Sequence, residues 1–333
     1  MPRSFLIIQT AFIGDVILAT ALIESLKQKF PDSSIDMVVR RGNESLLQGH
    51  PLLREVIVFD KRNKYRNLFR LIRRIRGNRY DIAINVQRFA TTGIITLCSG
   101  ARETVGFDKN PFSFLFSRKI HHQQEGMHEV QRNHRLIAHL VSADAARPRL
   151  YPTQEQFEKI AAYRVSTYIT LSPASVWFTK QHAKEKWLEL LVSIPTHVKV
   201  YLLGAPGDQP LCDELRTSCG NTSVTTLAGK LSLLESAALM QGAVMNYVND
   251  SAPMHLASAL NAPVTAVYCS TVPEFGFGPL SERSIIVQTN QRLSCRPCGL
   301  HGFKACPQGH FRCSRDIPVS QLTSALPALG QNA

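Results

Sequence analysis

Short unbroken apolar runs alternate with helix-periodic segments along nearly the whole chain, in two rounds. The first opens with Phe5–Ile8, after which Val16, Ala19, Ile23, Leu26 and Phe30 recur at spacings of three and four, the mark of one buried helix face. It continues through IDMVV (Ile35–Val39), VIVF (Val56–Phe59), a basic helical segment, DIAINV (Asp81–Val86), ETVGF (Glu103–Phe107) and a helix around Glu129–Leu140. Strands that are apolar throughout and separated by helices predict an α/β chain with a parallel sheet covered on both faces. A second round runs from YITLSP (Tyr168–Pro173) through helices near Lys184–Ser193, Gln209–Ser218 and Leu231–Gln241 to AVMNYV, a helix from Pro253, and VTAVYC.

Between the rounds, SADAARPRLYPTQEQ (Ser142–Gln156) carries two prolines and little apolar periodicity, which predicts a junction. The expected organisation is a first Rossmann-like domain over 1–150, a linker over 151–165 and a second Rossmann-like domain over 166–318 with a Cys-rich loop at 293–315. A helix or tail over 319–333 completes it. Two similar halves joined this way suggest a cleft between them. The length, 333 residues, and an apolar content of 44% are enough for both cores.

The net charge is +13, and the excess is concentrated: KRNKYRNLFRLIRRIRGNR (Lys61–Arg79) holds nine Lys or Arg and no acid. A patch of that sign calls for an anionic partner, be it nucleic acid, a phospholipid surface or a phosphorylated substrate; a merely solvated helix face is the alternative. No apolar run has the length of a membrane-spanning helix, so a membrane contact would be peripheral. The N-terminus imitates a signal peptide, but Gln9, Thr10 and Asp15 interrupt its apolar stretch. A cytoplasmic chain opening with a strand is expected. Cys98, Cys212, Cys219 and Cys269 are scattered, as befits small core residues in a reducing compartment.

Parallel α/β sheets bind ligands beyond the carboxyl ends of their strands, so the turn after each strand is the place to search. The first is QTAFIGD (Gln9–Asp15), with one glycine instead of the three of a dinucleotide fingerprint, which weighs against a nicotinamide or flavin enzyme. Asp15 reads either as a helix N-cap or as a base facing the cleft. In LSPASVWFTKQHAKEKW, Ser172 and Ser175 offer hydroxyls while Lys180 and Lys186 offer charge to a phosphate, Lys186 reading equally well as a solvated lysine. VNDSAPMHLASAL places Asp250, Ser251 and His255 where a strand meets a helix N-terminus. A plain cap and a core histidine are the competing structural readings.

At these residues the chain resembles glycosyltransferase family 9, the bacterial lipopolysaccharide heptosyltransferases. The matching segments are IGDVILATALIESLKQKFPDSSIDMVV, HEVQRN, SPASVWFTKQHAKEKW, LAGKLSL and VNDSAPMHLASALNAPVTAVY, in order over most of the chain. The resemblance implies the GT-B architecture, two Rossmann-like domains facing across a cleft, with the acceptor bound by the first and a nucleotide sugar by the second. It implies an inverting, metal-independent transfer from ADP-L-glycero-D-manno-heptose to the anionic inner core of lipid A, on the cytoplasmic side and with peripheral contact to the inner-membrane surface. Asp15 matches the general base. Ser175, Lys180, Lys186, Asp208, Leu231, Asp250, Ser251 and His255 match donor-binding positions, Leu231 against the adenine and Asp208 near the ribose. The acceptor is assigned Gly14, Lys61, Arg62, Lys64 and Arg66. The family's Asn-Asp-Ser-Gly is Asn-Asp-Ser-Ala here, with Pro253 following, which leaves another nucleotide sugar open.

No cofactor is expected. CRPCGLHGFKACPQGHFRC places Cys295, Cys298, Cys306 and Cys313 where a structural zinc could tie down a long loop, although the second pair is six residues apart instead of two. A basic nucleic-acid-binding protein is the rival from another class. It wants stacking aromatics or a reading helix, of which Tyr65 and Phe69 offer only a hint, so no nucleic acid is expected.

Overall fold

The computed structural model describes residues 3–123 and 126–326. The chain divides into two compact units, Met1–Tyr151 and Pro152–Ala333. In chain order the first contains β1 (Ser4–Ile8), α1 (Ile13–Lys29), β2 (Ser34–Arg40), β3 (Glu55–Phe59), α2 (Lys64–Gly77), β4 (Ile82–Asn85), α3 (Ala90–Leu97), β5 (Glu103–Phe107), β6 (Arg118–Ile120) and α4 (Glu129–His134). The second contains α5 (Gln154–Lys159), β7 (Tyr168–Ser172), α6 (Lys184–Ser193), β8 (Lys199–Leu202), α7 (Gln209–Ser218), β9 (Val224–Thr226) and α8 (Leu233–Gly242). It ends with β10 (Asn246–Asn249), α9 (Ala252–Ala259), β11 (Val264–Tyr268), β12 (Ser284–Gln288), α10 (Arg312–Arg315) and α11 (Ser320–Thr323).

Each unit is built on a six-stranded sheet, ordered β3-β2-β1-β4-β5-β6 in the first and β12-β11-β10-β7-β8-β9 in the second. Every pairing is parallel, Phe5 lying opposite both Ile35 and Ile82, and Tyr247 between Leu171 and Thr265. Both are therefore doubly wound, Rossmann-like α/β sheets. The strand order reverses between β1 and β4 in one unit and between β7 and β10 in the other. Helices that leave such neighbours go to opposite faces, so a crevice opens beyond their carboxyl ends.

The strands read as unbroken apolar runs because both faces are covered. Leu6, Ile8, Val38, Ile57 and Ala83 pack beneath Leu71 and Ile75 of α2 and Ile95 of α3. In the second unit Trp187, Leu190 and Leu191 of α6 join Ile169, Leu171, Val200 and Tyr247 in one core. Burying a side chain of this size contributes about 1.5–3 kcal/mol.

Four elements differ from expectation. The segment 151–165 carries α5, which Thr153 precedes and whose Lys159 pairs with Glu235 of α8 at 3.4 Å. The helix expected over Glu129–Leu140 ends at His134 and gives way to turns. β6 and β12 are edge strands with mixed or exposed patterns, Arg-Lys-Ile and Ser-Ile-Ile-Val-Gln, which lack a two-faced apolar run. Of the C-terminal segment 319–333, α11 is seen, and 327–333 lies outside the described residues.

Candidate functional site

In the first unit, β1 delivers the chain to the carboxyl edge at the reversal point, and the turn Gln9–Phe12 leads into α1. The helix begins at Ile13, so Asp15 is not its N-cap but its third residue, and Asp15 Oδ2 accepts the Phe12 main-chain N–H at 3.1 Å. The turn is held from three sides. The Gln9 side-chain oxygen accepts from the Ala11 N–H (3.2 Å) and from Gln87 at the end of β4. Asn43 Nδ2 donates to the Ala11 carbonyl (2.9 Å), and Lys61 Nζ to the Thr10 carbonyl (3.1 Å).

Of the basic residues assigned to the acceptor, Lys61 bonds to this turn. Its ammonium pKa is lowered by burial and by the positive charges of Arg40 and Lys64. Arg62 turns instead to Asp60, at 3.2 Å, and Lys64 and Arg66 project from the exposed side of α2. Gly14 lies half-buried in the first turn of α1.

Sequence reasoning passed over Glu129 and Arg132, in the HEVQRN segment on α4, which packs on α1. Arg132 is buried, pairs with Glu129, and donates to the main-chain carbonyls of Gln123 (2.9 Å) and Met127 (3.0 Å). Burial pushes the Glu129 carboxyl up to about 7, with the nearby Asp15 charge adding to it and Arg132 opposing. Asp15 therefore shares its surroundings with a second acid. Only tertiary packing brings residues more than a hundred positions apart to this point.

In the second unit, Lys180 and Asp250 meet at the other reversal point. Lys180 Nζ lies 2.8 Å from Asp250 Oδ2, with side chains 16% and 8% exposed, and Thr271 Oγ1 donates to the same oxygen at 2.6 Å. Asn249 is fully buried at the end of β10. Its Nδ2 donates to the Pro173 carbonyl (2.8 Å) and its Oδ1 accepts from the His182 N–H (2.8 Å), which fastens the β7–α6 loop to β10. In that loop the Ser175 carbonyl is held by Gln181 Nε2 at 2.7 Å.

Ser251 is the N-cap residue of α9, but its hydroxyl makes no capping bond and instead lies 3.4 Å from the Asn249 carbonyl. The plain-cap reading of Ser251 is therefore not what the fold uses. His255 is buried in the first turn of α9. Asp208 closes its own loop by accepting the Ala205 N–H at 2.8 Å. That loop adjoins the one bearing Leu231, the Gly229 N–H donating to the Gly204 carbonyl at 2.9 Å with Gly229 at φ 72°. Lys186 forms an ion pair with Glu189 on its own helix (2.9 Å). All the assigned donor residues thus lie at the carboxyl edge of this sheet or in the first turn of the helix that follows, and the direct bond joins Lys180 to Asp250.

The Cys-rich segment is part of this scaffold. Phe303 and Thr179 exchange hydrogen bonds, and the Cys298 N–H donates to Ser270. Arg296, also missed in the sequence, donates from its guanidinium to the carbonyls of Cys269 (2.7 Å) and Thr271 (2.8 Å) and to Gln288 (2.7 Å). A chain of contacts therefore runs Arg296, Thr271, Asp250, Lys180. Cys295, Cys298, Cys306 and Cys313 line one cavity of about 380 Å³ with His310. Among the described residues no three His, Cys, Asp or Glu side chains are gathered closely enough to hold a metal ion. The donor set as folded does not fit zinc.

The model of glycosyltransferase family 9 (heptosyltransferase) matches residues 68–301. Lipopolysaccharide heptosyltransferase 3 of Escherichia coli K12 is 26% identical over 281 residues, covering 78% of this chain and 80% of its own. Among solved structures, a glycosyltransferase family 9 protein from Veillonella parvula superposes with TM-score 0.83 at 20% identity, covering 97% of this chain and 95% of its own. E. coli ADP-heptose lps heptosyltransferase II gives 0.77 at 19% identity, covering 97% and 98%. The fold is of the GT-B class, and the chain belongs to glycosyltransferase family 9, the heptosyltransferase family.

Proposed function

We propose that this enzyme transfers heptose from ADP-L-glycero-D-manno-heptose to the anionic inner core of lipopolysaccharide, with inversion and without a metal. The reading takes the first unit as the acceptor's and the second as the donor's. The observation that carries it is the Lys180–Asp250 pair at the strand reversal, beside the N-terminus of α9. Asp250 consumes one of the three ammonium N–H groups of Lys180 and fixes its direction, leaving two for the donor diphosphate. The positive end of α9 adds to that charge, although Pro253 removes one main-chain donor from its first turn. Ser175, Ser251 and His255 would complete the polar surround of the diphosphate and sugar, Asp208 would take the ribose and Leu231 the adenine. Lys186 would join them only by leaving Glu189.

Cleavage of the glycosyl–phosphate bond builds charge on the departing diphosphate, which Lys180 and the helix amides stabilise. Asp15 takes the proton of the attacking hydroxyl, a role worth about 10²–10⁴ in rate. Its position in the first turn of α1, after the turn whose Thr10 carbonyl holds the Lys61 ammonium, would give an anionic acceptor a base and a cation, and Gly14, Arg62, Lys64 and Arg66 would extend that contact. The E. coli relative named for ADP-heptose supports the donor; the Ala252-Pro253 departure favours no particular alternative but keeps another nucleotide sugar as the second reading.

The test is thermal stabilisation by ADP, UDP, GDP and their sugars. Selective stabilisation by ADP and ADP-heptose is expected. Stabilisation by UDP or GDP alone would replace the donor, and stabilisation by duplex DNA with no nucleotide response would remove the reading.

A further inference from the structure

Heptosyl transfer makes no use of the thiols in the Cys-rich segment, yet the cavity they line is tied to both members of the Lys180–Asp250 pair. Thr179, the neighbour of Lys180, forms part of its wall. At Gly302 the segment passes so close that a side chain there would lie 2.7 Å from Thr179 Oγ1 and 3.2 Å from Lys180 Cγ. Arg296 forms another part of the wall, and its guanidinium holds the carbonyl of Thr271, the residue that donates to Asp250. Arg296 stands between Cys295 and Cys298, and the Cys298 main-chain N–H donates to the Ser270 carbonyl at 2.8 Å.

Two of the four thiols are set apart from the others. Cys295 Sγ lies 3.9 Å from His310 Nε2. His310 Nδ1 accepts the Arg312 main-chain N–H at 3.1 Å, so the neutral ring carries its proton on Nε2 and directs it at the Cys295 sulfur. Cys298 Sγ donates to the Cys295 carbonyl at 3.1 Å, which brings the second sulfur against the main chain of the first. Both side chains are half-buried, whereas Cys313 is buried. A cysteine that only fills a core needs neither a histidine donor nor access to solvent.

We propose that Cys295 and Cys298 are a dithiol–disulfide site whose oxidation by a low-molecular-weight disulfide weakens the donor pocket. The Cys295 thiol gives its proton to water, and the thiolate attacks one sulfur of that disulfide. The S–S bond breaks, and the leaving half takes up a proton. The Cys298 thiolate, its own proton also passed to water, then attacks the Cys295 sulfur, expels the second half as a thiol and closes the bridge. Two protein thiols are oxidised while one small disulfide is reduced to two thiols, with no net gain or loss of protons. Joining the two sulfurs draws the Cys298 side chain from the Cys295 carbonyl and tightens the turn that bears Arg296. The bonds of that turn to Ser270 and Thr271 then give way, and Asp250 loses the support of Thr271. This last step rests on the donor reading of the second unit; the bridge itself does not.

The experiment incubates the full chain with glutathione disulfide, alkylates the remaining thiols before unfolding, and maps the peptides by mass spectrometry. Loss of two hydrogens from the peptide holding Cys295 and Cys298 is expected, reversed by dithiothreitol. In calorimetric titration the bridged form should bind ADP about tenfold more weakly than the reduced form, the worth of one hydrogen bond to a charged group. Cys298→Ser should stop at a glutathionyl adduct on Cys295. His310→Phe should slow bridging about tenfold while the reduced protein keeps its ADP affinity. Absence of the bridge, a bridge to Cys306 or Cys313, a metal ion held by these thiols in the purified chain, or unchanged ADP affinity in the bridged form would overturn the proposal. A reduced chain that ignores ADP while the bridge still forms would remove the donor reading and leave the dithiol site standing.

Discussion

Replacing Lys180 by methionine tests the central contact of the second unit. The substitution keeps the length of the side chain and removes its charge, leaving Asp250 Oδ2 with Thr271 Oγ1 in surroundings where the carboxylate side chain is 8% exposed. Breaking one partner of a buried pair costs about 3–5 kcal/mol, and the 16% exposure of Lys180 puts this case near about 3 kcal/mol. Asp250→Asn removes the other charge and should cost about 2 kcal/mol, whereas the double variant leaves no stranded ion and should cost little more than either single change. A unit of this size loses about 2–4 °C per kcal/mol, so Lys180→Met should melt about 6–12 °C lower. Both tryptophans, Trp177 and Trp187, belong to the second unit, and Trp187 is fully buried, so fluorescence follows the relevant transition. A double-mutant cycle in urea gives the coupling, expected at about 1.5 kcal/mol or more. Additivity within about 0.5 kcal/mol would mean that the two groups do not hold each other, and the account of the site would be wrong.

Asp15→Ala should lower turnover by about 10²–10⁴ while costing about 1 kcal/mol or less in stability through the lost bond to Phe12, measured by initial rates and by denaturation. Turnover within a factor of a few of wild type would refute the base. His182 is buried against Trp187, and burial, with Lys186 adding to it, lowers its pKa to about 3. The unfolded chain therefore binds a proton that the fold excludes. This contribution is complete above about pH 6.5 and shrinks toward pH 3, by about 2 kcal/mol between pH 7 and pH 5. His182→Gln should flatten that part of the tryptophan-monitored pH profile, and an unchanged slope would refute the assignment. Arg296→Ala should weaken ADP binding about tenfold, by releasing the Thr271 segment from its half-buried guanidinium clamp, with a stability loss of about 2–3 kcal/mol. Arg296→Lys should restore only part of either, since an ammonium cannot reproduce the planar fork. The readout is a calorimetric titration with ADP beside urea denaturation, and a wild-type ADP affinity in both variants would sink the clamp.

The two rounds of strands and helices could be read directly because a strand buried on both faces must be apolar at every position, a constraint local enough to show in four or five residues. α6 and α7 begin and end where periodicity put them, at Lys184–Ser193 and Gln209–Ser218. The turns that carry Asp15, Lys180 and Asp250 were legible for the same reason: ligand chemistry collects after strands in this fold class. Edge strands β6 and β12 were not, since one uncovered side removes the pattern. Nor could any local rule pair Asp250 with Lys180, set Glu129 near Asp15, or send Arg296 to the carbonyls beyond β11. Hydrophobic periodicity is a property of neighbours along the chain. The direction and partner of a buried charge depend on which distant strands the sheet order places side by side, and that order is settled only when the whole core packs.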